Sequence, residues 1–257
     1  MPGHQRTARE AEVWAQLDGV SDPELDEPVT DLQFVTSVTV DAENRVAVAF
    51  RLPTYWCAAN FSFLMADDMR AAVVALPWVR SVEVRLGEHM YADTINAGLA
   101  KGLSFEDTFG AEADGNLDDI RRTFLRKAFQ RRQAALIDHL VKAGFALSWI
   151  AVVTIAGLKA ITFEPEASKL VRRYFERRAV VGPMRDEAFA FIDVDGARLQ
   201  PETLLVYLRN LRRVGINAEF NSALCKGLLA ARFDTDTPFV PPRQRTPATV
   251  SSATGCH

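Results

Sequence analysis

The chain is predicted to be an α+β protein, with a small N-terminal α-β-β-α-β domain and a mainly helical C-terminal domain. Three observations predict this. Residues 34–40 and 46–52 alternate apolar and polar side chains around the polar turn Asp41-Ala42-Glu43-Asn44, the pattern of two half-buried strands in a hairpin. Apolar residues recur with helical spacing on both sides of that hairpin: Val13, Leu17 and Val20 before it, Leu64, Met65, Met69, Val73 and Leu76 after it. From residue 117 onward the apolar spacing is almost wholly helical.

The elements follow in order. Residues 1–7 are polar and are expected to be disordered. The first helix carries the stripe Val13, Trp14, Leu17 and Val20 and stops at Ser21-Asp22-Pro23, because proline cannot continue a helix and Asp-Pro favours a turn. Residues 58–76 form the second helix, ended by Pro77. Val82, Val84 and Leu86 then alternate as a third strand, and the β-α-β half closes as a right-handed crossover. The first domain therefore spans residues 8–99. Residues 100–116 are rich in glycine and acidic side chains and connect it to the second, at 117–236. There, Leu117, Ile120, Phe124, Ala128, Leu136 and Leu140 mark a long amphipathic helix. A helix at 166–180 ends before Gly182-Pro183, and residues 189–194 read as a short strand before the Asp195-Gly196 turn. A helix at 201–214 is expected to be capped by Gly215, and a last one runs over 221–233. Residues 237–257 shift to Pro, Thr, Ser and Arg, the composition of a flexible tail.

Composition narrows the function classes. The formal charge is −3, which supplies no general attraction to nucleic acid or anionic lipid. Three separated cysteines make no disulfide framework, so a reducing cytoplasm is the expected location. The first ten residues lack the apolar core of a signal peptide. Residues 143–158 carry no charge, but the stretch is shorter than the ~20 residues a spanning helix needs. A buried helix, or a helix pair turning near Gly157, is expected there, and no membrane partner.

Cys57 follows the second predicted strand and opens the second long helix. A thiol there faces unpaired backbone N–H groups and the positive end of the helix dipole, which favour thiolate. The alternative is a small buried hydrophobe, the commoner role of cysteine. Both readings are open on position alone.

Asp22-Pro23-Glu24-Leu25, Asp31-Leu32, Pro53-Thr54-Tyr55 and Cys57 together resemble the small iron–sulfur assembly factors of the SufT and PaaD type. The resemblance covers residues 8–99 and implies an α+β domain that helps deliver or insert iron or iron–sulfur units. Carried over by position, it points to Asp22, Glu24, Asp31, Thr54 and Cys57, and Thr54, Tyr55 and Trp56 are the partner-binding candidates of this loop. Trp56 and Ala58 stand where the family has a small residue and a proline, and the loop from Thr54 to Cys57 is one residue shorter. Without any ligand, Asp22 and Glu24 read as turn and helix-start carboxylates, and Asp31 as a strand-end cap.

Arg121, Arg122, Arg126, Lys127, Arg131 and Arg132 crowd one helix. They read as a solvated face or a contact for an acidic partner, with Arg122 and Arg126 as partner-binding candidates; the rival is a phosphate-backbone stripe. In motif order the second domain resembles the catalytic domain of tyrosine recombinases, through residues 144–150, Arg172-Arg173-Tyr174 and Asp195-Gly196. Ala146 and Trp149 stand where that family has a catalytic Arg and Glu, and residues 222–226 replace its His-x-x-Arg. The resemblance therefore implies a fold without phosphoryl-transfer chemistry. Cys225 lies among leucines and reads as core. The terminal Cys256-His257 pair offers thiolate, imidazole and carboxylate to a metal, or is simply an unstructured end. His4, His89 and His139 do not cluster in the sequence, and no phosphate loop, nucleophile elbow or zinc-protease motif is present.

The function expected is a non-catalytic accessory factor for maturation, metal delivery or folding of a metalloenzyme. The combination of domains resembles accessory proteins of bacterial soluble diiron monooxygenases of the propane type, which implies the diiron hydroxylase subunit as client. Iron, held transiently by Cys57, Asp22, Glu24, Asp31, Cys256 and His257, is the only cofactor expected. The alternatives are a general iron–sulfur cluster assembly factor, a DNA-binding regulator using residues 121–132, and an enzyme with Cys57 as nucleophile. The oligomeric state is not fixed by the sequence.

Overall fold

The computed structural model describes residues 7–113 and 116–233, with only the backbone described at 212–219. Expectations for residues 1–6 and for 237–257, including Cys256 and His257, lie outside the described residues.

The first helix, α1 (Ala8–Leu17), starts at a capping box: Thr7 Oγ1 accepts from Glu10 N–H and Glu10 Oε2 from Thr7 N–H. Val13 and Leu17, four apart, are fully buried. Strands β1 (Val35–Val40) and β2 (Arg45–Phe50) pair antiparallel, and β2 pairs parallel with β3 (Ser81–Leu86). Asp41 Oδ1 accepts the backbone N–H groups of Glu43 and Arg45, shaping the hairpin turn with Asn44 at φ 62°. Between β2 and β3 runs α2 (Ala59–Val74), the crossover helix, and Val46, Val48, Phe50, Val84 and Leu86 turn toward the core. The sheet order is β1-β2-β3, and the α-β-β-α-β sequence agrees with expectation. The described part of the connecting region carries structure of its own. After α3 (Ala92–Ala100), a short helix α4 (Phe105–Phe109) buries Phe105 in the first core, and Asn116 caps the next helix.

The second core forms between α5 (Leu117–Lys142), α8 (Pro165–Val181) and the start of α9 (Leu204–Phe233). The uncharged stretch is two short helices, α6 (Leu147–Ile150) and α7 (Ile155–Lys159). The turn lies at 151–154, earlier than expected, because Thr154 caps α7 through Gly157 N–H. No described helix is long and apolar enough to cross a membrane.

Two expected elements differ. Residues 189–194 form only isolated bridges, Thr154 to Phe189 and Ile192 to Arg198. Side chains take the carbonyls a partner strand would use. Arg178, fully buried, donates to Phe189 O and Ala190 O, and Gln133 donates to Ile192 O. The break expected at Gly215 is absent, and α9 is continuous from 204 to 233. A glycine inside a helix costs only about 1 kcal/mol against alanine. Burial at both ends outweighs that: Leu204 and Leu211 lie in the second core, Leu229 in the first.

Candidate functional site

The loop at 21–31 follows α1 and precedes β1. A bridge joins Ser21 to Pro28, and Val29 N–H donates to Val20 O. Leu25, Val29 and Leu32 anchor the loop in the first core, so its carboxylates must find partners at the surface or between units. Asp22 Oδ1 accepts from Glu24 N–H (2.9 Å) and Leu25 N–H (2.7 Å), the Asx-type turn expected of Asp-Pro. Burial raises its pKa to about 6, against the lowering effect of those two N–H groups. Asp22 also lines a cavity of about 380 Å³ between the loop, α2, α5 and α8, with Leu64, Asp68, Arg121 and Phe124.

Asp26, at φ 55°, sits at the contact with the second unit. It is almost fully buried, and its carboxylate accepts from Arg132 (2.6 and 2.9 Å) and Arg177 (3.0 and 2.8 Å). Its carbonyl accepts from Arg173 (3.1 Å). Sequence reasoning did not select this residue. Asp22-Pro23-Glu24-Leu25-Asp26-Glu27 shows an acidic run, and nothing local marks Asp26 as the member that points inward. Glu24 accepts from Asn221 (3.0 Å), and Glu27 from Ser222 (2.5 Å) and Lys226 (2.6 Å), all on α9. Asp31 is exposed, and no hydrogen bond or ion pair among the described residues engages it.

Cys57 lies two residues before the first helical residue of α2, whose N-cap is Ala58. It is half-buried against the first core, with its sulfur 3.1 Å from Thr54 Oγ1. The Cys57 carbonyl accepts from His89 Nε2 (2.8 Å), while His89 Nδ1 accepts from Tyr91 N–H (3.2 Å). That pattern requires the neutral Nε2–H tautomer. The His89 pKa is lowered, chiefly by burial and further by the Arg232 charge, with the Cys57 carbonyl opposing. His89 is thus a positioning residue for the cysteine loop, joined to it only by the tertiary fold. Tyr55 and Trp56 are exposed beside it, Trp56 at 73%, and Met90, also exposed, donates its N–H to Tyr55 O.

Cys225 is brought to the same region from α9 and packs on the first core. Its pKa is pushed up to about 12, by burial first and then by the charges of Asp22, Cys57, Glu24 and Glu27. The two thiols and the acidic loop therefore share one electrostatic neighbourhood. Yet among the described residues no three His, Cys, Asp or Glu side chains are placed to hold a metal ion. Asp22 is turned to backbone amides, Glu24 and Glu27 to α9, and Asp31 to solvent. The described donors do not fit a closed iron site.

The basic helix is largely engaged with the protein itself. Arg121 pairs with Asp68 (2.8 Å), Arg126 with Asp195 (2.6 Å), Arg132 with Asp26 and Glu176, and Lys127 lies over Phe124. Arg122 pairs with Asp119 one turn away and stays exposed. Three of the six crowded cations, Arg121, Arg126 and Arg132, thus serve as contacts between elements.

Comparison with known proteins places the geometry. Residues 10–86 match the family described as iron–sulfur cluster assembly protein. A solved structure titled as a domain of unknown function, DUF59, from Bacillus anthracis is similar at 22% identity with a TM-score of 0.30, over 38% of this chain and 94% of that one. No curated protein matches the chain. Residues 10–86 are thus similar to iron–sulfur cluster assembly proteins, and the acidic loop within them is where the rest of the chain docks.

Proposed function

We propose that the chain is a non-catalytic accessory factor that supports maturation of a metalloenzyme, with the hydroxylase of a soluble diiron monooxygenase as client. The observation that carries the reading is the match of residues 10–86 to iron–sulfur cluster assembly proteins. Two features of the site favour an adaptor over a cluster carrier. The loop carboxylates are held by the second unit, and Cys57 stands beside exposed Tyr55, Trp56 and Met90. Exposed aromatics at a rigid loop are well suited to bind protein, because they bury large area at low entropic cost. Iron handling is then transient, with Cys57 as its thiol.

Co-expression of a diiron hydroxylase with and without this chain tests the reading. The expected result is lower soluble yield or iron per subunit without it, at unchanged activity per iron, because a maturation factor changes the population of folded holoenzyme. Trp56→Ala should reproduce much of that loss. Unchanged yield and iron content would refute the proposal.

A further inference from the structure

The end of α9 leaves the core it starts in and lies on the first unit. Asn221, Ser222, Cys225, Lys226, Leu229 and Arg232 fall on one side of a helix with 3.6 residues per turn, and that side meets the assembly-type domain. Asn221 reaches Glu24, and Ser222 and Lys226 reach Glu27. Arg232 donates to Leu52 O (3.4 Å), to Glu88 O and to Glu88 Oε2 (both 3.1 Å). Leu229 is fully buried among first-unit side chains, and Arg51 stacks over Phe233 at 4.2 Å. The face beneath is thus an apolar floor with an acidic rim of Glu24, Glu27 and Glu88. It lies next to the cysteine loop, since Arg232 reaches the residue preceding His89, which holds the Cys57 carbonyl.

Leu229 anchors the attachment, and the polar contacts around it are the part that exchanges easily. Its two ion pairs are partly solvated, with Lys226 39% and Glu88 77% exposed, and such pairs are worth little and weaken with salt. Phe220, Leu224 and Leu228 form a neighbouring stripe on the same helix that stays exposed, so docking does not bury all of its apolar surface.

We infer that this face of the assembly-type domain is a helix-binding surface, occupied here by the end of α9, and that it accepts a partner's amphipathic helix of the same chemistry: basic residues flanking a buried leucine. Charge complementarity with Glu24, Glu27 and Glu88 selects the basic helix, and displacement of α9 opens the apolar floor under Leu229, beside the cysteine loop. The inference deepens the proposed function by stating what a client would present, and it rests on that reading only for the identity of the client.

The test uses the full chain and a labelled synthetic peptide with the sequence of residues 219–233. Lys226→Glu sets like charges against Glu27 and should release the end of α9, seen as faster amide exchange at 220–233 with protection of α5 and α8 unchanged. The peptide should then bind this variant about tenfold or more tighter than the unsubstituted chain, because apparent affinity scales with the fraction of open face. Binding should fall with added salt, and a scrambled peptide of equal charge should not bind. The double variant Glu27→Lys with Lys226→Glu should restore slow exchange. Release of α9 without peptide binding, or equal binding to both chains, overturns the inference, as does unchanged exchange in Lys226→Glu. None of these readouts involves iron or a hydroxylase. A bound peptide with unchanged hydroxylase yield would therefore refute the maturation reading alone.

Discussion

Two aspartates four residues apart, Asp22 and Asp26, behave oppositely because the tertiary surroundings differ. Asp26 is nearly inaccessible and neutralised by two guanidinium groups. Removing one member of a buried ion cluster leaves charge uncompensated, at about 3–5 kcal/mol. Asparagine tolerates positive φ, so Asp26→Asn isolates the charge effect. Chemical denaturation at neutral pH should show a loss of that order, against little change for Asp31→Asn. Asp22 has no hydrogen-bonded guanidinium, only the weaker pull of the Arg131 charge, and burial raises its pKa from an ordinary 3.8 to about 6. The folded state therefore binds the proton more tightly than the unfolded one, and the carboxylate's desolvation penalty is absent below pH 4, grows between 4 and 6, and is complete above 6. Asparagine keeps an oxygen for the Glu24 and Leu25 amides. Asp22→Asn should thus stabilise the protein by roughly 2–3 kcal/mol at pH 7 and by little at pH 4. Equal effects at both pH values would show that Asp22 is not buried as described.

At the scale of elements, local chemistry was mostly legible. The hairpin, the crossover helix and α5 follow directly from period-2 and period-3.6 patterns and, for the crossover helix, from Pro77 beyond its end. Two elements were misread for the same reason, that a local signal met a stronger distant one. Residues 189–194 alternate like a strand, but Arg178 and Gln133 occupy their carbonyls. Gly215 reads as a cap, but α9 is pinned in two cores. The Cys57 loop was recognisable from its neighbours in sequence. Its support from His89 was not, since thirty-two positions separate them and no periodicity links a turn histidine to a distant carbonyl.

The whole molecule is two cores joined by the acidic loop and by one long helix. That arrangement sets what an isolated first domain would keep and what it would lose. Strands β1–β3 and helices α1–α3 close a core of their own, and Phe105 completes it, so a fragment of residues 7–113 should fold cooperatively. It lacks Leu229 and the partners of Asp26, Glu24 and Glu27. Loss of a buried leucine alone is worth about 2–5 kcal/mol, enough to lower the melting temperature by several degrees or more. Calorimetry of the fragment and the full chain checks this; an equal melting temperature would mean that α9 contributes nothing to the first core.

By itself the sequence determined the α+β class, the order of the first five elements, the likeness of the first domain to iron–sulfur assembly proteins, and the residues around Cys57. These are properties of short windows, where side-chain period, turn chemistry and helix caps act between neighbours. Only the tertiary structure decided that Asp26 is a buried clamp, that Arg121, Arg126 and Arg132 of α5 pair with other elements, and that α9 packs Cys225 on the first core. Those outcomes depend on which charged side chains find compensation when two cores meet, and that free energy is set by partners a hundred or more residues away.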